Sequence, residues 1–462
     1  MVRHALAMAI VACAVAAAPA SAGLPSVKHV FVIVLENKDY DESFGESTKA
    51  PWLARQLTKQ GQLLTQYYGT SHASLGNYIS MVSGISANPD TQGDCAHGFN
   101  DVFPGTPSPD GQVIGVGCVY PPAVKTVGDQ FDAAGLSWRG YMEDMGADPN
   151  APKTCRHPAI GEIDDTQNAR ANDQYATRHN PFVYFHSIID DQKRCDARVV
   201  PLEELHKDLA RAETTPNLVF VTPDLCSDGH DEPCIDGRPG GLASSDVFLK
   251  EWVPRIMASP AYAEGGLIVV TWDEGNVGQG TSGACCDEPS GPNTPQPGIF
   301  GPGGGRTGSL VISPFTRPGS VNDQAYNHYA LLRSIEDLFG LGHLGYAGAA
   351  GLKAFGDDVF NEPPAASGNA GAEAHGCSAV ALPRSPDGSY PRGTLIDDVS
   401  LAGGRLHLTA KHATALALRD GKRVIRARLR ACKRYGFHVH GSRVLVSARA
   451  GGAYEHRVIH TR

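Results

Sequence analysis

Four stretches of this chain are apolar and β-branched almost without interruption: HVFVIVLE (29–36), NLVFVTPD (217–224), LIVVTWDE (267–274) and SLVISPF (309–315). None shows the alternation of a half-exposed strand, so each predicts a strand covered on both faces. Between them APWLARQLTKQG, KTVGDQFDAAG, PLEELHKDLARAE and YALLRSIEDLFG carry apolar residues at helical spacing, most closed by Gly or a polar residue. This alternation predicts an α/β fold, a three-layer sandwich around a largely parallel central sheet. In such folds the ligand lies beyond the carboxyl ends of the strands.

Three of the four predicted strands end in polar groups. The first runs into Glu36-Asn37, the second into Asp224 and CSDGHD, and the third into Asp273-Glu274. An acidic residue after a strand is commonly a solvated turn residue. Three such ends gathered at one sheet edge, however, would repel one another unless a cation sat among them. Carboxylates with a few histidines suit a hard or borderline divalent ion: Ca, Mg or Mn for an all-oxygen set, Zn or Fe if imidazole joins. In TSHASLGNYISMVSG (70–84), Ser74 stands before an amphipathic segment. That is the place of a helix N-cap, and also the place where a phosphoryl group is best received. Asn77, one turn on, is placed to donate to the same anion. Lone histidines such as His97 and His157 are expected to be structural.

Composition adds compartment and domain boundaries. MVRHALAMAIVACAVAAAPASAG has a positive start, an apolar run and small residues at Ala20-Ser21-Ala22, the pattern of a cleaved secretory signal over 1–22. One of the 11 cysteines lies in it. The even number left predicts disulfides in an exported, secreted or periplasmic protein, with nearness suggesting Cys95–Cys118, Cys155–Cys195, Cys226–Cys234 and Cys377–Cys432. No later stretch is apolar for long enough to span a membrane. Residues 401–462 hold 14 Lys and Arg against 2 Asp and Glu, leaving 26 basic and 47 acidic residues before them. The division predicted is a body over 23–360, a linker over 361–400 and a small basic β-rich module over 401–462. Its alternation of apolar and basic residues suits packing on the acidic body or adhesion to an anionic surface, lipid headgroups or cell-wall polymer. No aromatic-interleaved motif points to nucleic acid.

VLENKDYDESFG, SHASLGNYISMVSG, HNPFVYF, PDLCSDGHD, TWDEG and YNHYALLRSIEDLFG together resemble, in order and spacing, the phosphoesterase family of acid phosphatases and non-specific phospholipases C, within the alkaline phosphatase superfamily. The resemblance covers about residues 27–345 and implies the alkaline phosphatase-like fold. Carried over by position, it implies Glu36, Asn37, Asp273, Glu274 and Asp228 as metal-binding residues and Ser74 as a metal-touching nucleophile. His230 and His328 become proton donors or metal ligands, and Asn77, His179 and Asp231 substrate contacts. Two departures stand out. Ala73 and Gly76 occupy the places of the family's prolines, which implies a less rigid nucleophile loop, and the stretch after Glu274 is longer and richer in Cys.

The function implied is a secreted, metal-dependent phosphoric ester hydrolase of acid-phosphatase type acting on a phosphate ester. The alternatives are a phospholipase C cleaving headgroup phosphodiesters, a phosphonate hydrolase, and a non-catalytic binding protein on the same fold. The absence of Cys at position 74 argues against a formylglycine sulfatase.

Overall fold

A computed structural model describes residues 24–361 apart from Gln279, and the strands lying between 396 and 460. Two compact units divide between residues 366 and 367.

The first unit is built on strands β1 (His29–Leu35), β2 (Gln62–Leu64), β3 (Trp138–Met142), β4 (Val199–Pro201), β5 (Leu218–Thr222), β6 (Gly266–Trp272), β7 (Ser309–Ile312) and β8 (Ser320–Asn322). They form one eight-stranded sheet in the order β8-β2-β7-β6-β1-β5-β3-β4. β1 pairs in parallel with both β5 and β6, β3 is parallel to β4 and β5, and β7 runs antiparallel to β6 and β2. The helices that matter for the site are α1 (Ser74–Ser83), α2 (Val127–Ala133), α3 (Gly241–Met257) and α4 (His328–Phe339).

The unbroken apolar character of β1 follows from its central place. Val30, Val32 and Val34 join one buried cluster with Tyr78, Ile79 and Val82 of α1 and Leu331 and Leu332 of α4. Phe31, Ile33 and Leu35 point the other way, into a second cluster with Phe248, Leu249 and Trp252 of α3. Side chains alternate across a strand, so an element covered on both faces has no position left for a polar residue until it ends.

The three-layer sandwich is therefore as expected, while several elements differ from the sequence reading. α3 is the longest helix described, yet its GLASSDVFLKEWVPRIM opens on Gly and small polar residues and carries Pro254, which blurs its apolar period. β2, β3 and β4 were missed because three to five residues, with Arg139 and Gly140 inside β3, leave no run to detect. Cys95–Cys118, Cys155–Cys195 and Cys226–Cys234 are disulfide-bonded. A fourth bond, unexpected, joins the neighbours Cys285 and Cys286. Cys377, Cys432 and the signal segment lie outside the described residues. Among these residues no helix is long and apolar enough to cross a membrane.

The second unit holds β9 (Ile396–Ala402), β10 (Arg405–Ala410), β11 (Thr414–Asp420), β12 (Arg423–Leu429), β13 (Lys433–His438), β14 (Arg443–Ala450) and β15 (Ala453–His460). β9-β10-β13 and β12-β11-β14-β15 make two antiparallel sheets. β9 thus begins inside the stretch read as linker. Leu416, Leu418 and Val446 are buried. The pairing register puts positions 419, 426, 428 and 449, all arginines, on the opposite face of that sheet.

Candidate active site

The central strands deliver their polar ends to one point. At the end of β1 the Glu36 amide donates to the Asp228 carbonyl (3.0 Å), and the Asp273 amide to Leu35 (2.9 Å). Asn37 takes the left-handed conformation, φ +57°, and its amide donates to Asp273 Oδ1 at 3.0 Å. The loops after β1, β5 and β6 are thereby sewn together, and Glu36, Asp228, Asp273 and Glu274 are all at most 1% exposed.

Ser74 is the first residue of α1, not its N-cap, which is Ala73. The amide of Leu75 is capped instead by Asp94 Oδ1 (2.9 Å). The Ser74 hydroxyl is therefore released from capping and donates to Glu36 Oε2 at 2.8 Å. The same oxygen accepts from Asn37 Nδ2 at 3.0 Å, and Glu36 Oε1 accepts from the Tyr78 hydroxyl at 2.6 Å.

His179, expected beside the substrate, lies deeper. Its Nδ1 is 3.1 Å from Asp228 Oδ2 and its Nε2 approaches Glu36 Oε2 at 3.4 Å without forming a hydrogen bond. Its ring stacks on Tyr78, centroids 5.4 Å apart. Burial, then the nearby charges of Arg178 and His230, push this imidazole well below its ordinary range, so it is neutral. Burial raises the carboxyls in the opposite sense: Glu36 well above the usual carboxylate range, with Asp273 and Asp228 adding to the effect, Asp228 likewise, and Asp273 to about 7.

These features fit a divalent cation. Ligand atoms of Glu36, His179 and Asp228 lie within 4.8 Å of one another. Two fully buried polar atoms beside them, His179 Nε2 and Asp273 Oδ2, have no hydrogen-bond partner, an arrangement that costs free energy unless something positive satisfies it. A neutral imidazole among carboxylates suits a borderline metal as well as a hard one. Cys226 and Cys234, near Asp236, form no such set because they are joined to each other.

Other expected residues are brought to the site but turned to different work. Asn77 is spent on the loop before Ser74. Its Oδ1 accepts from the amides of Thr70 (2.8 Å) and Ser71 (2.9 Å), and its Nδ2 donates to the carbonyls of Ser71 (2.9 Å) and Ala73 (3.2 Å). Both its donors are used, so in this arrangement it braces the loop before Ser74 where the resemblance had it contact phosphate. A Cβ at Gly76 would lie 2.6 Å from Ser71 Oγ and 3.0 Å from Ala87 Cβ, so the loop packs too closely for the family's proline. The looseness implied by the missing prolines is thus offset by side-chain ties. Asn77→Ala is expected to lower stability by ~2–4 kcal/mol, read from urea unfolding; a loss under ~0.5 kcal/mol would show that these bonds matter little.

His328 is not free to donate a proton. Its Nε2 bonds the Asp273 carbonyl, its Nδ1 meets the Tyr67 hydroxyl at 3.1 Å, and it is fully buried. It holds the β6 end in place. Glu274 is engaged through Oε2 by Nδ1 of His72. His230 bonds Asp231 through Nδ1 (2.7 Å) and Arg178 Nη2 through Nε2 (3.2 Å). Because a guanidinium only donates, that Nε2 accepts and the proton sits on Nδ1.

Sequence reasoning missed His72, Tyr78, Asp94 and Arg178. Three of them flank residues already singled out, in SHAS, GNY and RHNP; Asp94 had no local signal.

Comparison with known proteins adds a family to this geometry. A probable acid phosphatase of Kluyveromyces lactis is 26% identical over 69% of this chain and 59% of that protein. A phosphatidylinositol-3-phosphatase of Mycobacterium tuberculosis is 25% identical over 71% of this chain and 82% of that protein. The chain spans less than two thirds of the length of the fungal phosphatases it matches. A solved structure of a protein in the alkaline phosphatase superfamily from Vibrio parahaemolyticus aligns with 90% of this chain and 83% of that one, at 12% identity and a TM-score of 0.39. The pattern of the phosphoesterase family matches residues 46–342, and the chain belongs to that family.

Proposed function

We propose that this protein is an extracytoplasmic, metal-dependent phosphoric ester hydrolase of acid-phosphatase type, with Ser74 as nucleophile. The observation that carries the reading is the Ser74 hydroxyl, uncommitted to capping, held 2.8 Å from Glu36, whose carboxylate lies beside those of Asp228 and Asp273, all three fully buried. Glu36, Asp228 and Asp273 would hold the cation, with Asn37 and Glu274 beside them and His179 as a nitrogen ligand. When bound, a divalent ion supplies positive charge for the phosphoryl oxygens and favours the ionised form of a neighbouring hydroxyl.

The chain's own groups do the rest. Glu36 fixes the direction of the Ser74 oxygen, and the helix start behind it receives the anion. Attack forms the Oγ–P bond as the bond from phosphorus to the ester oxygen breaks. Water then cleaves the phosphoserine, releasing phosphate and restoring the hydroxyl. His230, oriented by Asp231 and with a side chain 35% exposed, would take a proton from solvent on Nε2, once that nitrogen is free of Arg178, and pass it to the leaving oxygen.

The phosphatases among the relatives support a phosphomonoester substrate. The 14 Lys and Arg against 2 Asp and Glu over residues 401–462 favour, as a second reading, a substrate displayed on an anionic surface, including the phospholipase C alternative. Rates on p-nitrophenyl phosphate and p-nitrophenyl phosphorylcholine separate the two: a clear preference for the monoester is expected, the reverse would favour phospholipase C, and turnover of neither would leave only a binding protein. Cosedimentation of the full chain with anionic against neutral vesicles tests the surface contact. The disulfides support an oxidising compartment.

A further inference from the structure

Arg178 is one of two arginines buried in the described residues, and it differs from the other. Arg156 is closed by Asp173 in a two-pronged pair, 2.9 and 2.7 Å. The Arg178 fork closes on no carboxylate. Its Nη1 donates to the Gln167 carbonyl (3.0 Å), its Nη2 to Nε2 of His230 (3.2 Å), and its Nε stays 3.8 Å from Asp94 Oδ2. Only 3% of the residue is exposed, so this charge is withheld from water without a tight counter-ion, a costly arrangement.

Its position explains what the charge faces. On one side Asp94 caps Leu75, the residue after the nucleophile. On the other stands His230, whose ring centroid is 5.9 Å from that of His179. The neighbouring His179 reaches the Glu36 oxygen that holds Ser74. A guanidinium linked through Asp94 to the residue after Ser74 and through His230 to the ring beside Glu36, with its donors on a carbonyl and an imidazole, has the fork that matches the oxygens of a phosphoryl group.

We propose that Arg178 turns from His230 to receive the non-bridging oxygens of the substrate and is the residue that sets preference for a phosphomonoester dianion over a diester monoanion. The proposal rests on the phosphoesterase reading above. A second positive charge benefits a dianion more than a monoanion, so its removal penalises the monoester selectively.

The test compares wild type, Arg178→Lys and Arg178→Met on p-nitrophenyl phosphate and bis-p-nitrophenyl phosphate, with the affinity for inorganic phosphate measured by calorimetry. For Arg178→Met, kcat/KM on the monoester is expected to fall roughly 100-fold or more and that on the diester less than about tenfold. Phosphate affinity falls with the monoester rate, and Arg178→Lys recovers part of both. Equal losses on the two esters, with phosphate affinity unchanged, would reduce Arg178 to a brace for His230 and overturn the proposal. Should the Met variant fail to fold, Arg178→Gln, which removes the charge and keeps a hydrogen-bonding side chain, decides by the same ratio: an unaltered monoester-to-diester preference and phosphate affinity overturns it. A wild type that binds phosphate through Arg178 but hydrolyses neither ester would refute the enzyme reading while upholding the anion contact.

Discussion

Replacing Ser74 with Ala is expected to lower kcat/KM on p-nitrophenyl phosphate by at least ~1,000-fold while leaving the fold intact. The hydroxyl donates to Glu36 Oε2, which keeps Asn37 Nδ2 as a partner, and the α1 start is capped by Asp94 whether or not the hydroxyl is present. A capping serine predicts the opposite pattern, a stability loss of ~1 kcal/mol with turnover preserved. Parallel measurement of rate and urea midpoint separates the two, and a variant retaining near-native turnover would eliminate Ser74 as nucleophile.

Stripping the protein of divalent cations is expected to abolish turnover and to change how stability responds to pH. In the cation-free protein Asp273 titrates near 7, against its ordinary 3.8, because burial penalises its charge. Between those values the folded state holds a proton that the unfolded state has lost, so stability is greatest at low pH and falls as pH rises from about 4 to 7. A shift of about three units corresponds to at most ~4 kcal/mol, and Glu36 and Asp228 act in the same direction. A bound cation offsets the repulsion, so its stabilising effect grows over the same window. Differential scanning calorimetry with and without chelator, across pH 4 to 7, checks this. A cation-free melting temperature flat over that range, or full activity in chelator, would contradict it.

How much of this was legible in the sequence varied with the distance over which each contact acts. β1, β5, β6 and β7 announced themselves because strands buried on both faces must be apolar throughout, and their sudden polar ends marked the site. The acidic strand ends and Ser74 stood out only as a group, since each alone reads as a turn or capping residue whereas several carboxylates gathered at one sheet edge call for a cation. The role of Asn77 was not, because its bonds depend on the path of residues 70–73. The same holds for His328, whose duty to Asp273 spans 55 residues, and for His179, whose depth is set by the meeting of β1 with the loop after β5. Arg178 stood next to a residue already chosen, yet its open fork appears only when every other donor and acceptor is placed. α3 was missed for a local reason: an apolar stripe opened by Gly and Ser and closed after Pro254 carries a weak period.

A phosphoryl group caught on Ser74 would join the nucleophile and its carboxylates in one observation. Acid quench of the cation-loaded enzyme during turnover of p-nitrophenyl phosphate, followed by peptide mass spectrometry, is predicted to place one phosphoryl group on the peptide containing Ser74 and none on the Ser74→Ala protein. Label on a histidine or an aspartate, or turnover in full with no labelled peptide, would contradict the mechanism.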